Sequence, residues 1–345
     1  MNLPEPTMRP NVKRALYTFL VFLFILSNAN ALELAKYAGE FMSTGVGARA
    51  LGMGGAYSAM SGDVTHGYWN PAALSDMQYP ELAAMHSRRF GGVVNYDYLG
   101  FAMPFRRSET LGINVIRLAV DDIPYTTVPR PEEEVDGSNQ PYAYRWVSDA
   151  EYAVFLSYAN RKSAKFSYGA NVKFIRKNTG DNSALGIGFD IGALWNPAGD
   201  LMLGANLQDI TTTVIAWDTG TKELLAPTLK LGSAYPINLS FMKSRLWMAA
   251  DLDVRFEGRE FAAQANLGAM SIDPRVGAEL VIRQIAALRV GRDDLGFFTA
   301  GAGIRLPRLN LDYAFLSHDD LEATHRISIS LRLEEDKFLR KTSSH

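Results

Sequence analysis

The amino-acid sequence predicts an all-β protein, a fourteen-stranded antiparallel transmembrane β-barrel with a small N-terminal hatch of short helices and loops inside it. Three observations predict this fold: an N-terminal export signal, alternation of apolar and polar residues, and a regular succession of short and long connections. The expected divisions are a signal peptide over residues 1–31, the hatch over 32–79, the barrel over 80–333 and a charged periplasmic tail over 334–345.

The composition narrows the class of protein. Hydrophobic residues make up 47% of the 345 residues, yet the mean hydropathy is slightly negative. This excludes a bundle of membrane helices but suits a barrel, whose lipid-facing residues alternate with polar ones. The absence of cysteine excludes a disulfide scaffold and thiolate metal sites. A formal net charge of −2 gives no bulk attraction to nucleic acid, so no nucleic-acid partner is expected.

The first 31 residues have the organisation of a secretory signal. Arg9, Lys13 and Arg14 form a basic start, residues 15–26 are apolar, and Ala29-Asn30-Ala31 is a small-x-small cleavage site. The apolar run is shorter than the roughly 20 residues that cross a bilayer as a helix, although an N-terminal membrane anchor is the alternative. An exported chain without a spanning helix crosses a membrane only as a closed barrel. The expected location is therefore the outer membrane, with its lipid bilayer as partner.

A period of two dominates the chain from about residue 80. It is clear over residues 166–174, 246–255 and 326–333, where aliphatic or aromatic residues alternate with polar or small ones. Successive side chains of a strand point to opposite faces, so each segment predicts a strand with one apolar and one polar face. A soluble β-sandwich shows the same alternation. The period alone therefore does not choose between a sandwich and a barrel.

The lengths of the connections favour the barrel. The predicted strands are 80–90, 94–105, 109–120, 149–161, 164–177, 182–196, 200–209, 227–236, 244–255, 275–283, 285–292, 296–305, 308–317 and 325–333. Connections after even-numbered strands are mostly tight, whereas those after odd-numbered strands include 121–148, 210–226 and 256–274. Short turns on one rim and long outer loops on the other are typical of outer-membrane barrels. Residues 237–243 form one turn longer than this rule expects.

The charged residues of the strands fall mostly on the face opposite the aliphatic one. In a barrel they are expected to point into the lumen; the alternative is the solvated face of a soluble sheet. The expected lumen-facing charges are Lys173, Asp190, Asp251, Asp253, Arg255, Glu279, Arg289, Asp312, Arg326 and Arg332, with Glu151, Lys230 and Arg283 in the same phase. Arg117 is an exception, because it is in phase with Leu111, Ile113 and Val115. We expect it near the end of its strand, where a long side chain reaches the headgroups.

Residues 32–79 differ from the rest because glycines cluster there. Such glycines permit positive φ angles and close backbone approach, which predicts short helices and turns folded in a confined space. A phosphate-binding loop is the alternative, but no apolar strand leads into this segment and no Gly-Lys-Ser/Thr follows it. The expected hatch motif residues are Gly47, Arg49, Gly52, Gly54, Gly55, Asp63, Tyr68, Trp69, Asn70, Pro71 and Ala72. For Tyr68 and Trp69 the sequence leaves two alternatives: packing within the hatch, or contact with a ligand.

These residues resemble a known family. The stretch from Gly47 to Ala56, with Asp63 and Tyr68–Leu74, is similar to the opening of the PorV/PorQ family, which groups with the FadL-like fourteen-stranded outer-membrane barrels. The end of the chain resembles the same family at residues 287–291, 301–305, 311–314 and 324–330. Two features depart from it. Leu333 is followed by the charged tail where such barrels usually end in an aromatic residue, and the acidic loop at Pro129–Glu134 matches no family motif.

The resemblance implies a hatch that folds into the barrel, and it leaves three functions open. Some relatives are outer-membrane factors of type IX secretion, so secreted proteins or secretion-system components are one class of partner. FadL-like relatives pass hydrophobic small molecules, which predicts an apolar pocket between hatch and wall. A structural barrel without cargo is the third alternative.

The sequence offers little for catalysis. The five histidines form no His-x-x-x-His pair, and no histidine or serine lies near the carboxylate pairs Asp121-Asp122 and Asp251/Asp253. His318-Asp319-Asp320 is either a divalent-cation site or, more simply, a polar hairpin loop. We therefore expect no catalytic residue, no cofactor and no metal, although residues distant in sequence can meet in a folded hydrolase.

Overall fold

The computed structural model describes residues 39–256, 264–268, 270–317 and 323–340. The signal peptide over 1–31 and the candidate cation site at His318-Asp319-Asp320 lie outside these ranges. Four short helices precede the first strand: α1 (Glu40–Ser43), α2 (Ala48–Gly52), α3 (His66–Trp69) and the 3-10 helix η1 (Pro71–Asp76). Two further 3-10 turns are η2 (Phe241–Lys243) and η3 (Asp336–Phe338). Among the described residues, no helix has the length and apolar character needed to cross a bilayer.

The described strands are β1 (Glu81–Arg89), β2 (Val94–Pro104), β3 (Glu109–Thr127), β4 (Tyr142–Arg161), β5 (Phe166–Thr179), β6 (Asn182–Trp195), β7 (Met202–Gln208), β8 (Thr213–Trp217), β9 (Lys222–Leu225), β10 (Thr228–Leu239), β11 (Ser244–Arg255), β12 (Ala265–Leu267), β13 (Met270–Ile282), β14 (Ala286–Arg292), β15 (Phe298–Arg305), β16 (Leu309–Leu316) and β17 (Thr324–Arg332).

Fourteen of these strands close into one antiparallel barrel. Each pairs with the next wall strand along the chain, and β17 pairs with β1 in register from Glu81↔Arg332 to Arg88↔His325. The short strands β8 and β9 form a hairpin on the outer end of β6, and β12 pairs beside β13. The predicted fold, a fourteen-stranded antiparallel barrel, is confirmed. Closure removes the unpaired edges that an open sheet of this size exposes.

The rims also follow the predicted pattern, with two differences. The turn before β11 covers only residues 240–243, because β10 continues to Leu239. Half of the predicted long connection at 121–148 is strand, since β3 and β4 continue as a hairpin beyond their neighbours and leave residues 128–141 as the loop. A bulge between Val120 and Ile123, where Asp122 has φ of 57°, adds one residue to β3 and lets the ladder resume.

The strand alternation separates an outer apolar face from an inner polar one. Strand β5 illustrates this, with Phe166, Tyr168 and Phe174 exposed outward and Asn171 and Lys173 buried inward. Two predictions on this pattern are wrong. Arg117 lies in the middle of β3, because the strand does not end at 120 but runs on to Thr127. Arg283 lies outside the wall, in the turn after β13, where it has φ of 51°.

The hatch fills the middle of the barrel, and its buried side chains form the apolar core together with inward-facing wall residues. Val46, Met53, Tyr57, Trp69 and Leu74 are each at most 1% exposed. After β17 the tail turns back under the barrel. Its Arg340 donates hydrogen bonds to the carbonyl of Met77 and to Oγ1 of Thr110.

Candidate functional site

The candidate site is the lumen, where the hatch meets the wall. Eight wall glycines lie directly against the hatch. Six face its backbone, namely Gly169, Gly204, Gly232, Gly277, Gly291 and Gly301, and two face its side chains, namely Gly112 and Gly192. A Cβ atom at Gly204 would lie 2.1 Å from the carbonyl oxygen of Ser58, and one at Gly277 would lie 2.2 Å from that of Met53. These distances leave no room for any side chain. The wall glycines therefore mark the path of the hatch around the inside of the barrel.

The hatch motif places Asn70 at the junction of two helices and the wall. Its Oδ1 accepts a hydrogen bond from the backbone of Ala72 at 3.1 Å, which caps η1, while Pro71 occupies the first turn, where its missing N–H is not needed. Its Nδ2 donates to the carbonyls of Ser58 at 2.8 Å and Ala193 at 3.0 Å. One amide thus links two hatch segments to β6.

Arg49 and Asp63 belong to a network centred on Glu279. The guanidinium of Arg49 donates from Nε and Nη2 to the two carboxylate oxygens of Glu279, at 3.0 and 2.7 Å, and its Nη1 donates to Asp63 at 3.2 Å. Glu279 is fully buried and also pairs with Arg289 at 2.9 Å and Arg305 at 3.0 Å. Bidentate pairing of this kind is strong and directional. It attaches α2 to β13.

Further charges compensate one another along the wall. Asp253 pairs with Lys230 at 2.8 Å and with Arg275 at 3.1 Å. Asp251 instead receives the backbone N–H groups of Tyr57 at 3.0 Å and Ser58 at 2.8 Å, so it holds the hatch.

Similar pairs join other wall strands and loops. Lys173 lies between Asp190 at 2.9 Å and Asp209 at 2.6 Å. The remaining charges expected in the lumen form the pairs Arg255–Asp294 at 3.0 Å, Arg289–Asp312 at 2.8 Å and Arg332–Glu81 at 3.5 Å. Arg326 is buried on the same inner face, and its Nε has no hydrogen-bond partner among the described residues.

The two aromatic residues of the hatch motif have different surroundings. Trp69 is 1% exposed, donates from Nε1 to the carbonyl of Val46 at 2.9 Å, and lies edge-on against Tyr57. Lys230 and Arg275 lie about 6 Å from its ring centre, within cation–π range. Tyr68 contacts a cavity, as described next. Trp69 therefore packs inside the hatch, and only Tyr68 is placed to touch a ligand.

Two cavities lie on opposite sides of the hatch. The inner one, near the short-turn rim, has a volume of about 670 Å³ and is bordered by charged residues that include Arg49, Asp63 and Arg305. The outer one is about 80 Å³. Its lining includes the apolar side chains of Met42, Phe155 and Leu225, the ring of Tyr68 and the ammonium-bearing chains of Lys173 and Lys230. Neither cavity is purely apolar, and neither is lined by charge alone.

Several residues of the site were not predicted from the sequence. Asp209, Asp294, Arg275 and Arg305 complete the ion pairs, but they lie in loops or in strand segments whose phase was not assigned. Arg340 was placed in a free tail, yet it is 5% exposed beneath the hatch. Its buried position depends on the carbonyls of Met77 and Arg107, and no sequence pattern shows this.

The comparisons with known proteins bear on the fold. No family model matches the chain, and no curated protein matches it. Among solved structures, the Ralstonia pickettii toluene transporter TbuX aligns with a TM-score of 0.55 at 14% identity, covering 84% of this chain and 98% of its own.

Two further structures align similarly. The Pseudomonas putida toluene transporter TodX gives a TM-score of 0.56 at 14% identity, covering 84% of this chain and 98% of its own. The CymD monoaromatic hydrocarbon channel gives 0.55 at 13% identity, covering 88% of this chain and all of its own. Identities this low establish the fold alone, and membership of the PorV/PorQ family stays a prediction. The chain shares the β-barrel fold of these transport proteins.

Proposed function

We propose that this protein is a FadL-like outer-membrane channel for a small, mainly hydrophobic molecule, and that its hatch is the gate. The outer cavity is the observation that carries the proposal. Apolar side chains from α1, β4 and the β9–β10 connection meet there at the hatch, on the side that faces the outer rim. The alignment with hydrocarbon channels over almost their whole length supports the same proposal.

The cavity also indicates the kind of molecule. Met42, Phe155 and Leu225 offer apolar contact, whereas charged groups of both signs belong to the same lining: Glu40, Lys173, Asp209, Lys230 and Arg255. The two lysines are already in ion pairs. A mainly apolar molecule that carries a polar group fits this lining better than a pure hydrocarbon. At about 80 Å³ the cavity is small, so a larger ligand requires residues 39–44 of the hatch to shift.

Uptake measurements test the proposal. Cells that carry the protein are expected to accumulate labelled toluene or a medium-chain fatty acid faster than cells that lack it. Phe155→Asp, which places a carboxylate in the cavity, is expected to reduce this rate, while Phe166→Asp on the outer face at the short-turn rim is the control for assembly in the membrane. Equal uptake with and without the protein, across both classes of molecule, would contradict channel function and favour a structural barrel.

A disulfide across the hatch tests the gate. The backbone nitrogen of Ala48 lies 2.8 Å from Oγ of Ser328, so cysteines at these two positions bring their thiols close together. The chain has no cysteine of its own to interfere. Oxidised Ala48→Cys/Ser328→Cys is expected to lose uptake and to regain it on reduction. Ile113→Cys/Leu156→Cys is the matched control, since these outward-facing wall residues face each other on β3 and β4, away from the hatch. Unchanged uptake with the hatch tethered would mean that the hatch does not move.

One observation favours a second function, the handling of exported proteins. The β3–β4 hairpin extends past its neighbours and exposes Tyr142, Tyr144 and Trp146, each more than half exposed. Aromatic residues of this kind are common anchors of protein interfaces. Cells carrying Tyr144→Ser/Trp146→Ser are expected, on this function, to display fewer exported proteins at the surface while their uptake of small molecules is unchanged. Normal surface display would argue against it.

A further inference from the structure

Three charged residues form a row on the outer face of the barrel, where lipid is expected. His86 of β1 faces Asp97 of β2, and Asp97 faces Arg117 of β3. Nδ1 of His86 lies 2.7 Å from Oδ1 of Asp97, and Nη1 of Arg117 lies 3.2 Å from Oδ2 of Asp97. Their side chains are 58%, 38% and 32% exposed, respectively. We call these three residues the charged row.

The charged row begins only a short way above the inner rim. Each strand rises about 3.3 Å per residue and is tilted by about 40°, so successive outward-facing residues are separated by about 5 Å of height. Below the row, the outward apolar residues are Leu82 and Ala84 on β1, Leu99, Phe101 and Met103 on β2, and Leu111, Ile113 and Val115 on β3. The apolar surface of this wall is therefore about 10–15 Å tall.

The opposite wall is much taller. Its outward apolar residues are Leu185, Ile187, Phe189, Ile191, Ala193 and Trp195 on β6, and Ile272, Pro274, Val276, Ala278, Leu280 and Ile282 on β13. Six residues give about 30 Å, which covers the apolar band of about 25 Å that outer-membrane barrels present. The apolar surface on β1, β2 and β3 is thus at most half as tall as the apolar surface on β6 and β13.

Directly above the charged row, the outward residues of β1 and β2 are Arg88 and Asn95, and β1 ends at Arg89. Exposed apolar side chains return in the turn between the two strands, at Phe90 and Val93. Charges on the lipid face near the middle of a bilayer are costly, and the cost falls towards the interfaces. Tilting the whole barrel raises one wall and lowers the other, but it does not change how tall the apolar surface on each wall is. The row must therefore lie at an interface, and the membrane must adapt to it.

We infer that the outer leaflet is thinned beside β1, β2 and β3, so that lipid headgroups and water reach the charged row. A bilayer adapts to a short apolar surface in this way at modest cost per ångström. The occupant is lipid rather than a second copy of the chain, because the charges of Arg117 and Asp97 already compensate each other and His86 is held by the same carboxylate. Below the row, Leu99, Val115, Ile327 and Ile329 surround a shallow hollow over Ala84 that suits shortened or bent acyl chains.

Spin labels at two equal heights test the inference. Leu99 and Ile191 are each the third outward residue from the inner rim, and the chain has no cysteine to interfere with labelling. In vesicles of phosphatidylcholine with 18-carbon chains, relative accessibility to oxygen and to a nickel chelate reports the depth of each label. The label at Leu99→Cys is expected to lie about 5–10 Å shallower than the label at Ile191→Cys, given about 5 Å per outward residue. Equal depths would overturn the inference.

Variants of the charged row give a second readout. His86→Leu/Asp97→Leu/Arg117→Leu extends the apolar surface, and the label at Leu99→Cys is then expected to move deeper by about 5 Å, one outward residue. Arg176→Leu is the control. Arg176 is an outward-facing cation of β5 that does not belong to the charged row, so its removal should leave the depth of the label at Leu99→Cys unchanged. If the label at Leu99→Cys is accessible neither to oxygen nor to the nickel chelate while the charged row is intact, then protein covers this wall. That result also overturns the inference. The comparison of depth between the labels at Leu99→Cys and Ile191→Cys, made with the charged row intact, does not depend on the folding of the triple variant.

Discussion

At the scale of single residues, the hatch is held mainly by buried charges and amides with several partners each. Glu279 joins Arg49 of the hatch to Arg289 and Arg305 of the wall. Leaving a buried charge without its partner costs far more than the pair contributes when intact. Substitution of one such residue therefore affects the whole hatch.

Glu279→Gln is expected to loosen the hatch without opening the barrel. The neutral amide leaves three guanidinium groups without their shared carboxylate, which costs about 3–5 kcal/mol for a broken buried pair. Hydrogen exchange of the backbone amides of residues 48–69 should become faster, while exchange in β5 and β6 stays slow. Glu335→Gln is the control, because Glu335 is exposed and, among the residues that the structure describes, its carboxylate pairs only with Lys337. Unchanged exchange in Glu279→Gln would show that Arg49 does not anchor the hatch.

His66 makes hatch docking depend on pH. Its ring is buried and stacked on Tyr57 at 4.7 Å, and neither nitrogen has a hydrogen-bond partner among the described residues. Burial lowers the pKa of His66 to about 4, against the opposing attraction of Asp63. An undocked hatch has the ordinary pKa of about 6.5 and binds a proton that the docked hatch excludes. Docking is therefore strongest above pH 6.5 and weakens as pH falls towards 4, by roughly 3 kcal/mol.

Protease resistance of the hatch, measured from pH 7.5 to 4.5, checks this dependence. Burial raises the pKa of Asp63, but attraction to His66 and Arg49 outweighs this and lowers it to about 2, below the window. His66→Phe keeps a flat ring against Tyr57 and has no nitrogen to titrate, so its resistance should lose this part of the pH dependence. Parallel loss of resistance in wild type and His66→Phe would rule out His66 as the source.

At the scale of elements, hatch and wall fit by close backbone contact at the wall glycines as well as by side-chain packing. Ser58 and Ala59 lie against Gly204 and Gly232 on neighbouring strands β7 and β10, and Met53 lies against Gly277 on β13. Close-packed interiors tolerate little added volume. The positions of these glycines therefore fix where each hatch segment can lie.

Gly204→Ala is expected to displace residues 57–60 of the hatch. Its Cβ would lie 2.1 Å from the carbonyl oxygen of Ser58, which is backbone and cannot rotate away. Overpacking of this kind costs typically about 1–3 kcal/mol. A fluorescent or spin label in the outer cavity, at Leu225→Cys, should report the shift. Gly137→Ala, where nothing lies within 4 Å of the added atom, is the control. An identical label signal in Gly204→Ala and wild type would contradict the tight fit.

The elements also show how far the sequence predicted this structure. Alternation over segments such as 166–174 predicted the wall strands, because a lipid-facing strand must present an apolar residue at every second position. The hairpin extension of β3 and β4 was missed, since Asp121-Asp122 and the four prolines of residues 121–148 favour a loop. The ladder continues through register shifts after Val120 and after Tyr125. The pair between Arg49 and Glu279, 230 positions apart, was unpredictable because closure of the barrel alone brings these residues together.

At the scale of the whole molecule, the wall is nearly complete without the hatch. Lys230–Asp253, Arg275–Asp294 and Lys173–Asp190 are pairs within the barrel and its loops. Backbone pairing around all fourteen wall strands does not involve the hatch. The hydrogen-bonded closure of the described wall strands therefore does not depend on the hatch.

Removal of residues 39–76 is therefore expected to leave a folded barrel that conducts ions. Planar-bilayer recordings should show a large, steady conductance for this variant and little for the intact chain, since the hatch fills the lumen. Arg49→Ala serves as a comparison, because it weakens one anchor and is expected to give only brief openings. An unfolded deletion variant, judged by circular dichroism, would show that the hatch is part of the barrel's own stability.

The contacts of α2 have a consequence for biogenesis. This early helix lies against β14 to β17, the last strands to be made, and Ala48 donates to Ser328 across 280 positions of sequence. Arg340, still further along the chain, donates a hydrogen bond to the carbonyl of Met77. Contacts so distant along the chain form late, because loop closure must precede them. The hatch, although it precedes the barrel in the sequence, thus reaches its final position last, after the wall has closed around it.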